Sequence, residues 1–194
     1  MQYEAVKVFM LQELKERLPK HLSYHSIAHV KDVLAAATYL AREEGLDNKD
    51  LAMLKTAAIF HDAGFIYGAK DHENRSCAIA RKYLPAYDYQ PDQIEKICQM
   101  IMATKLPQQP HTHLEEILAD ADLDYLGRDD FFDIGNQLYE ELAMVGMISS
   151  EDDWNRLQIK FFESHHYFTK TAIKLRGPKK QLHLEMIKSK LGKQ

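Results

Sequence analysis

The stretch Ala58-Ile59-Phe60-His61-Asp62-Ala63-Gly64-Phe65 constrains this chain more than any other. A histidine and an aspartate stand side by side at the end of an apolar helical run. The residues Leu51, Leu54, Ala58, His61 and Phe65 follow one another in steps of three and four, the period of one buried helix face. His61 therefore points inward. Asp62 lies about 100° around the helix, close enough for both side chains to reach one ion. Gly64 lets the backbone leave the helix. A buried carboxylate is costly unless it is paired or coordinates a metal.

Most of the remaining chain reads as helix. Tyr3 to Arg17 carries Val6, Phe9, Met10 and Leu14 on one side and ends before Pro19. Ser23-Tyr24-His25-Ser26 resembles a cap, and the helix after it stops at Gly45. Asp47 or Asn48 caps the helix that leads to His61. A loop from Gly64 to Asp71 follows, then a helix from His72 to Leu84 and another from Pro91 to about Thr104. Leu114 to Leu126 reads as one or two short helices. From Asp129 to Lys190 the helical pattern breaks at Gly146 to Ser150 and at Gly177-Pro178. No stretch alternates as a strand does. The expectation is an all-α, single-domain helical bundle over residues 1–194, its motif-bearing core near 22–128 and its carboxy-terminal helices, 129–190, packed on that core.

Composition removes several function classes. The chain has 194 residues, a net charge of −4 and no basic tract, so neither a nucleic-acid polymer nor an anionic membrane is an indicated partner. No apolar stretch approaches membrane length, and Met1 to Lys20 lacks a signal-peptide core. Cys77 and Cys98 sit in helical patterns and read as reduced core thiols, although a disulfide between them stays open. The expected location is cytoplasmic. Apolar residues between lysines on the terminal helices suit either the core or an oligomer contact.

His29 begins a second inward seam through Val33 and Leu40. Asp122 lies in Ile117-Leu118-Ala119-Asp120-Ala121-Asp122-Leu123-Asp124-Tyr125-Leu126, an unusually acidic run for a core helix. His29, His61, Asp62 and Asp122 make a mixed nitrogen and oxygen set suited to a divalent ion.

Three blocks in order, Tyr24-His25-Ser26-Ile27-Ala28-His29-Val30, His61-Asp62-Ala63-Gly64 and Asp120-Ala121-Asp122-Leu123-Asp124-Tyr125-Leu126-Gly127, resemble those of the HD-domain metal-dependent phosphohydrolases. The resemblance covers residues 22 to 128, approximately. It implies a helical fold and hydrolysis of a phosphate ester in a small phosphorylated substrate such as a nucleotide. It also implies one or two ions (zinc, manganese, iron, nickel, cobalt or magnesium). Matched motif to motif, His29 is the first ligand, His61 and Asp62 the pair, and Asp122 the last, with Asp120 as its rival. His72 serves a second metal in part of the family. Asp62 beside a metal orients or deprotonates water. Some relatives carry a lysine or glutamate three residues after the paired aspartate. Here Phe65 stands there, so Lys70 or Glu73 takes the catalytic role. Lys70, Lys105 and His25 are the expected substrate contacts. Two alternatives remain: a regulatory module that binds metal and nucleotide without turnover, and a di-iron oxygenase.

Several residues have plainer readings. Asp120 and Asp124 suit capping or solvated surface. Lys70 and Lys105 suit solvated surface, and His25 packing near the cap. His111, His113, His165 and His166 read as exposed. Met100, Met102, Met144 and Met147 read as core filler. Trp154, Phe161, Phe162 and Phe168 read as packing between the carboxy-terminal helices.

Overall fold

A central helix whose second half has no solvent face organises the molecule. The structure, a computed structural model, describes residues 1–191. In α3, Asn48–Phe60, the second half is buried all round, with Thr56, Ala57, Ala58, Ile59 and Phe60 fully inside. A helix apolar on every side needs neighbours on every side. It has them in α1 (Tyr3–Arg17), α2 (Ile27–Glu43), α5 (Pro91–Ala103) and α6 (His113–Asp122). The remaining helices are α4 (His72–Tyr83), α7 (Phe131–Met144), α8 (Glu151–Ser164) and α9 (Lys170–Leu191). Three short 3-10 turns join them, at Ala63–Tyr67, Leu84–Tyr87 and Asp124–Gly127. No strand occurs among the described residues, so the architecture is all-α. No helix among them is long and apolar enough to cross a membrane.

The helix ends follow local chemistry. The Asp47 carboxylate accepts from Asp50 N at 2.8 Å and opens α3. Gly45, at φ +75°, closes α2, with Leu46 N donating to Ala41 O at 2.9 Å. Pro91 starts α5, where Gln90 and Gln93 cap reciprocally.

Two apolar clusters result. The larger joins α1 to α6 around Met10, Leu14, Leu40, Leu54 and Ile101. The smaller joins Tyr24 and the turn after α6 to the last three helices through Leu126, Phe131, Phe162 and Ile187. Cys77 and Cys98 are both buried and free.

Four features differ from the sequence expectation. Helix α9 continues through Gly177-Pro178 although proline removes a backbone donor there. Burial of Ala172 on one side of Pro178 and of His183, Leu184 and Ile187 on the other carries the helix across. Met144 and Met147 are exposed rather than core, since α7 ends at the surface and Gly146 turns the chain there. Asp120 and Asp124 are buried, not solvated. His165 is half-buried, and both its ring nitrogens are inside and lack a partner.

Candidate metal centre and its cavity

The end of α3 determines the geometry. His61 keeps helical backbone angles past Phe60, Asp62 departs from them at φ −103° and ψ 8°, and the 3-10 turn of Ala63–Tyr67 then brings the chain back against α4. Gly64 makes that return possible, because a Cβ there would lie 2.0 Å from the His72 carbonyl oxygen. Ser76 locks the contact. Its hydroxyl donates to His61 O at 2.6 Å and accepts from Gly64 N at 2.8 Å.

Four side chains converge there from α2, α3 and α6. His29 Nε2 lies 3.2 Å from His61 Nε2, 3.2 Å from Asp122 Oδ1 and 3.4 Å from Asp62 Oδ2. His61 Nε2 lies 3.2 Å from Asp62 Oδ2 and 3.5 Å from Asp122 Oδ1. Neighbouring ligand atoms on one divalent ion, with bonds of about 2.0–2.2 Å, stand about 2.8–3.6 Å apart. The observed spacings fall in that range. His29, His61 and Asp122 form the mutually close trio, and Asp62 adds an oxygen against both imidazoles.

Two further observations fit a cation. Asp62 Oδ2 is buried with no hydrogen-bond donor. His61 Nδ1 donates to Ala58 O at 2.9 Å, which directs Nε2 into the cluster, where it would ligate an ion on losing its proton. The electrostatics agree. Burial disfavours a charged His61, yet the carboxylates of Asp62 and Asp122 hold its pKa well above the usual value. Burial likewise opposes ionisation of Asp122, but hydrogen bonds from His29 and His61 outweigh it and hold the carboxyl at about 2. Asp62 is also held below the usual carboxylate range, burial being overcome chiefly by the His61 charge. The pocket asks for positive charge between two carboxylates, which a divalent ion would supply.

His72 is the nearest further group. Its Nδ1 donates to Ala69 O at 3.1 Å, and its Nε2 stands 3.5 Å from Asp62 Oδ1 and 3.8 Å from Glu73 Oε1. Glu73 is buried beside it. His25 pairs through Nδ1 with Glu141 of α7, whose other oxygen accepts from Tyr24 N at 2.9 Å and His25 N at 3.1 Å. Glu141 has no sequence signal, because its partners lie more than a hundred residues earlier.

Asp120 and Asp122 part ways. Asp120 accepts from Phe168 N at 2.9 Å, Thr169 N at 2.8 Å and Thr169 Oγ1 at 2.7 Å. It anchors the segment entering α9 and does not face the histidines. Asp124 holds Arg176 at 2.7 and 3.1 Å. His111 and His113 are exposed, and His113 pairs with Glu116 instead of entering the cluster.

The cluster opens into a cavity of about 680 Å³. Asp62, His72, Glu73 and Asp122 line one end, with the exposed Lys70 and Lys105 beside them. Trp154, Phe161 and Phe162 line the cavity too, where the sequence suggested only packing between helices.

Comparison with known proteins places this arrangement. The HD domain model matches residues 26–124. No curated protein matches the chain. Three solved structures share the fold. A predicted HD superfamily hydrolase from an uncultured Thermotogales bacterium is 20% identical, with a TM-score of 0.65 over 95% of this chain and 91% of that one. Bacillus subtilis YpgQ, solved in complex with ADP, is 15% identical, with a TM-score of 0.69 over 97% and 92%. A Lactobacillus plantarum protein is 18% identical, with a TM-score of 0.72 over 98% and 95%. With half of its length matched by the family model, the chain belongs to the HD domain family.

Proposed function

We propose that the protein is a metal-dependent phosphohydrolase acting on a small phosphorylated molecule. One observation carries the reading: four ligand atoms from His29, His61, Asp62 and Asp122 converge beside a cavity that Asp62 and Asp122 line. When bound there, a divalent ion supplies Lewis-acid polarisation of a phosphoryl oxygen and acidifies water. The chain's own groups do the rest. Asp62 Oδ1, turned toward His72, orients the attacking water and accepts its proton. Glu73, buried next to His72, relays that proton onward. Lys70 and Lys105, together with His25, meet the phosphate's negative charge from the cavity wall. His72 is positioned to serve a second ion.

A nucleotide is the first class of substrate to assay, because YpgQ, of the same fold, binds ADP. That complex also motivates a second reading, a module that binds nucleotide without turnover.

The test is elemental analysis of protein purified without chelator, beside Asp62→Ala, with phosphate release measured on both. Metal bound to the wild type, lost from a folded variant together with hydrolysis, is the expected result. Metal with saturable nucleotide binding and no product would favour the regulatory module. Bound iron with visible absorption would favour oxidation. Failure to bind zinc, manganese, iron, nickel, cobalt or magnesium would remove the proposal.

A further inference from the structure

The cavity's two ends come from different parts of the chain and differ in chemistry. The charged end, from Asp62 to Asp122, belongs to the stretch that matches the HD family. The other end lies outside that stretch. It is built by Leu126 and Phe131, by Leu138 and Leu142 of α7, and by Trp154 and Phe161 of α8. Its polar groups are the indole N–H of Trp154 and the amide of Gln158, which is buried and, among the described residues, makes no side-chain hydrogen bond. Leu157, 45% exposed, carries the apolar surface out to the rim.

Such a wall discriminates. A sugar or a nucleobase buried there would leave hydroxyls or ring nitrogens unpaired, with one amide and one indole N–H to satisfy them. A hydrocarbon loses nothing and gains about three- to fourfold in affinity per buried methylene. The cavity is also far larger than a phosphate alone requires and falls in the range of whole small-molecule sites.

We infer that the phosphate ester bound in this cavity has a large apolar body, alkyl or aromatic. That body lies along α7 and α8 while the phosphate faces His29, His61, Asp62 and Asp122. The inference rests on the phosphohydrolase reading for the identity of the head group and sets an apolar body in place of the nucleoside that the YpgQ complex suggests. It assigns selectivity to the part of the chain outside the family match.

Trp154 is the sole tryptophan and stands in this wall, so its fluorescence reports occupancy. The full chain, supplied with manganese, is titrated with ethyl-, butyl-, octyl- and naphthylmethylphosphonate. These carry a carbon–phosphorus bond and are not phosphate esters, so binding is read apart from turnover. Ribose 5-phosphate, AMP and octyltrimethylammonium complete the set. Octyl- or naphthylmethylphosphonate should bind at least tenfold more tightly than ethylphosphonate and than each of the last three. A double variant, Leu138→Asp with Leu142→Asp, should erase that gap and leave ethylphosphonate binding unchanged.

Affinity that ignores chain length in the wild type overturns the inference. So does tighter binding of AMP or ribose 5-phosphate, or equal binding of the octyl cation. If the double variant does not fold, the wild-type series decides alone. Turnover of octyl phosphate separates the two readings. Chain-length selectivity without hydrolysis removes the enzyme and keeps the apolar body. Hydrolysis without selectivity does the reverse.

Discussion

The imidazole of His25 lies stacked on the ring of Phe65, with centroids 4.0 Å apart and planes 19° from parallel. Phe65 also meets His72 at 4.2 Å, so three rings form one cluster beside the metal ligands. The residue three places after Asp62, a lysine or glutamate in some relatives by resemblance, is here a platform for two histidines. Phe65→Ala should leave the ion held by His29, His61, Asp62 and Asp122 in place, because those ligand atoms lie elsewhere. It should lower hydrolysis on the order of 10–100-fold by freeing His25 and His72. Metal analysis and kcat on the same preparation check this. Unchanged kcat would reduce the ring cluster to packing.

Gly64→Ala sets a new Cβ against the backbone of His72. Backbone cannot rotate away as a side chain can. The turn at Ala63–Tyr67 or the start of α4 must move, at about 1–3 kcal/mol for overpacking. Stability should fall by that amount in urea, and activity should fall with it as Glu73 and His72 shift. An unchanged urea midpoint would contradict the close approach.

Lys70 and Lys105 are exposed, so their contribution should be salt-sensitive. The double variant Lys70→Ala with Lys105→Ala should raise KM roughly tenfold at low ionic strength, with a smaller effect on kcat. The difference from wild type should shrink in about 0.5 M salt, where screening acts within a few ångströms. A deficit independent of salt would point to shape rather than charge.

His165 makes stability depend on pH. Burial first, then the charges of Lys180 and His166, push its imidazole from 6.5 down to about 3. Below pH 6.5 the unfolded chain takes up a proton that the folded chain refuses. The stability this neutral imidazole contributes is therefore complete above pH 6.5 and drains away as pH falls toward 3. Between pH 7 and 5 the loss is on the order of 2 kcal/mol. His165→Phe, which preserves the stack on Phe161 and the edge contact with Tyr167, should flatten that slope. Urea melts of both proteins at the two pH values provide the check.

Local rules carried far in the first two thirds of the chain and less far beyond. The bounds of α1 follow from Val6, Met10, Leu14 and the stop before Pro19, all within a few residues of one another. The inward direction of His29 and His61 follows from helical period in the same way. Asp120 and Asp124 resist such reading because their partners, Thr169 and Arg176, come about fifty residues later. Pro178 reads locally as a break, and packing on both sides overrides it. Trp154 and Phe161 look like any helix-packing aromatics until α7 and α8 are placed around open space.

The acids of the last block divide their labour: Asp122 turns to the histidines, while Asp120 and Asp124 reach forward to Thr169 and Arg176. A chain cut after residue 124 would therefore keep every ligand atom and still be crippled. Asp120 would have lost its three hydrogen-bond donors and Asp124 its arginine, next to an apolar face stripped of α9. The shortest piece that carries the family's signature is thus shorter than the shortest piece able to fold. Helix α9 and the two residues that lead into it, which contribute nothing to the signature, are what make the signature's acids tolerable.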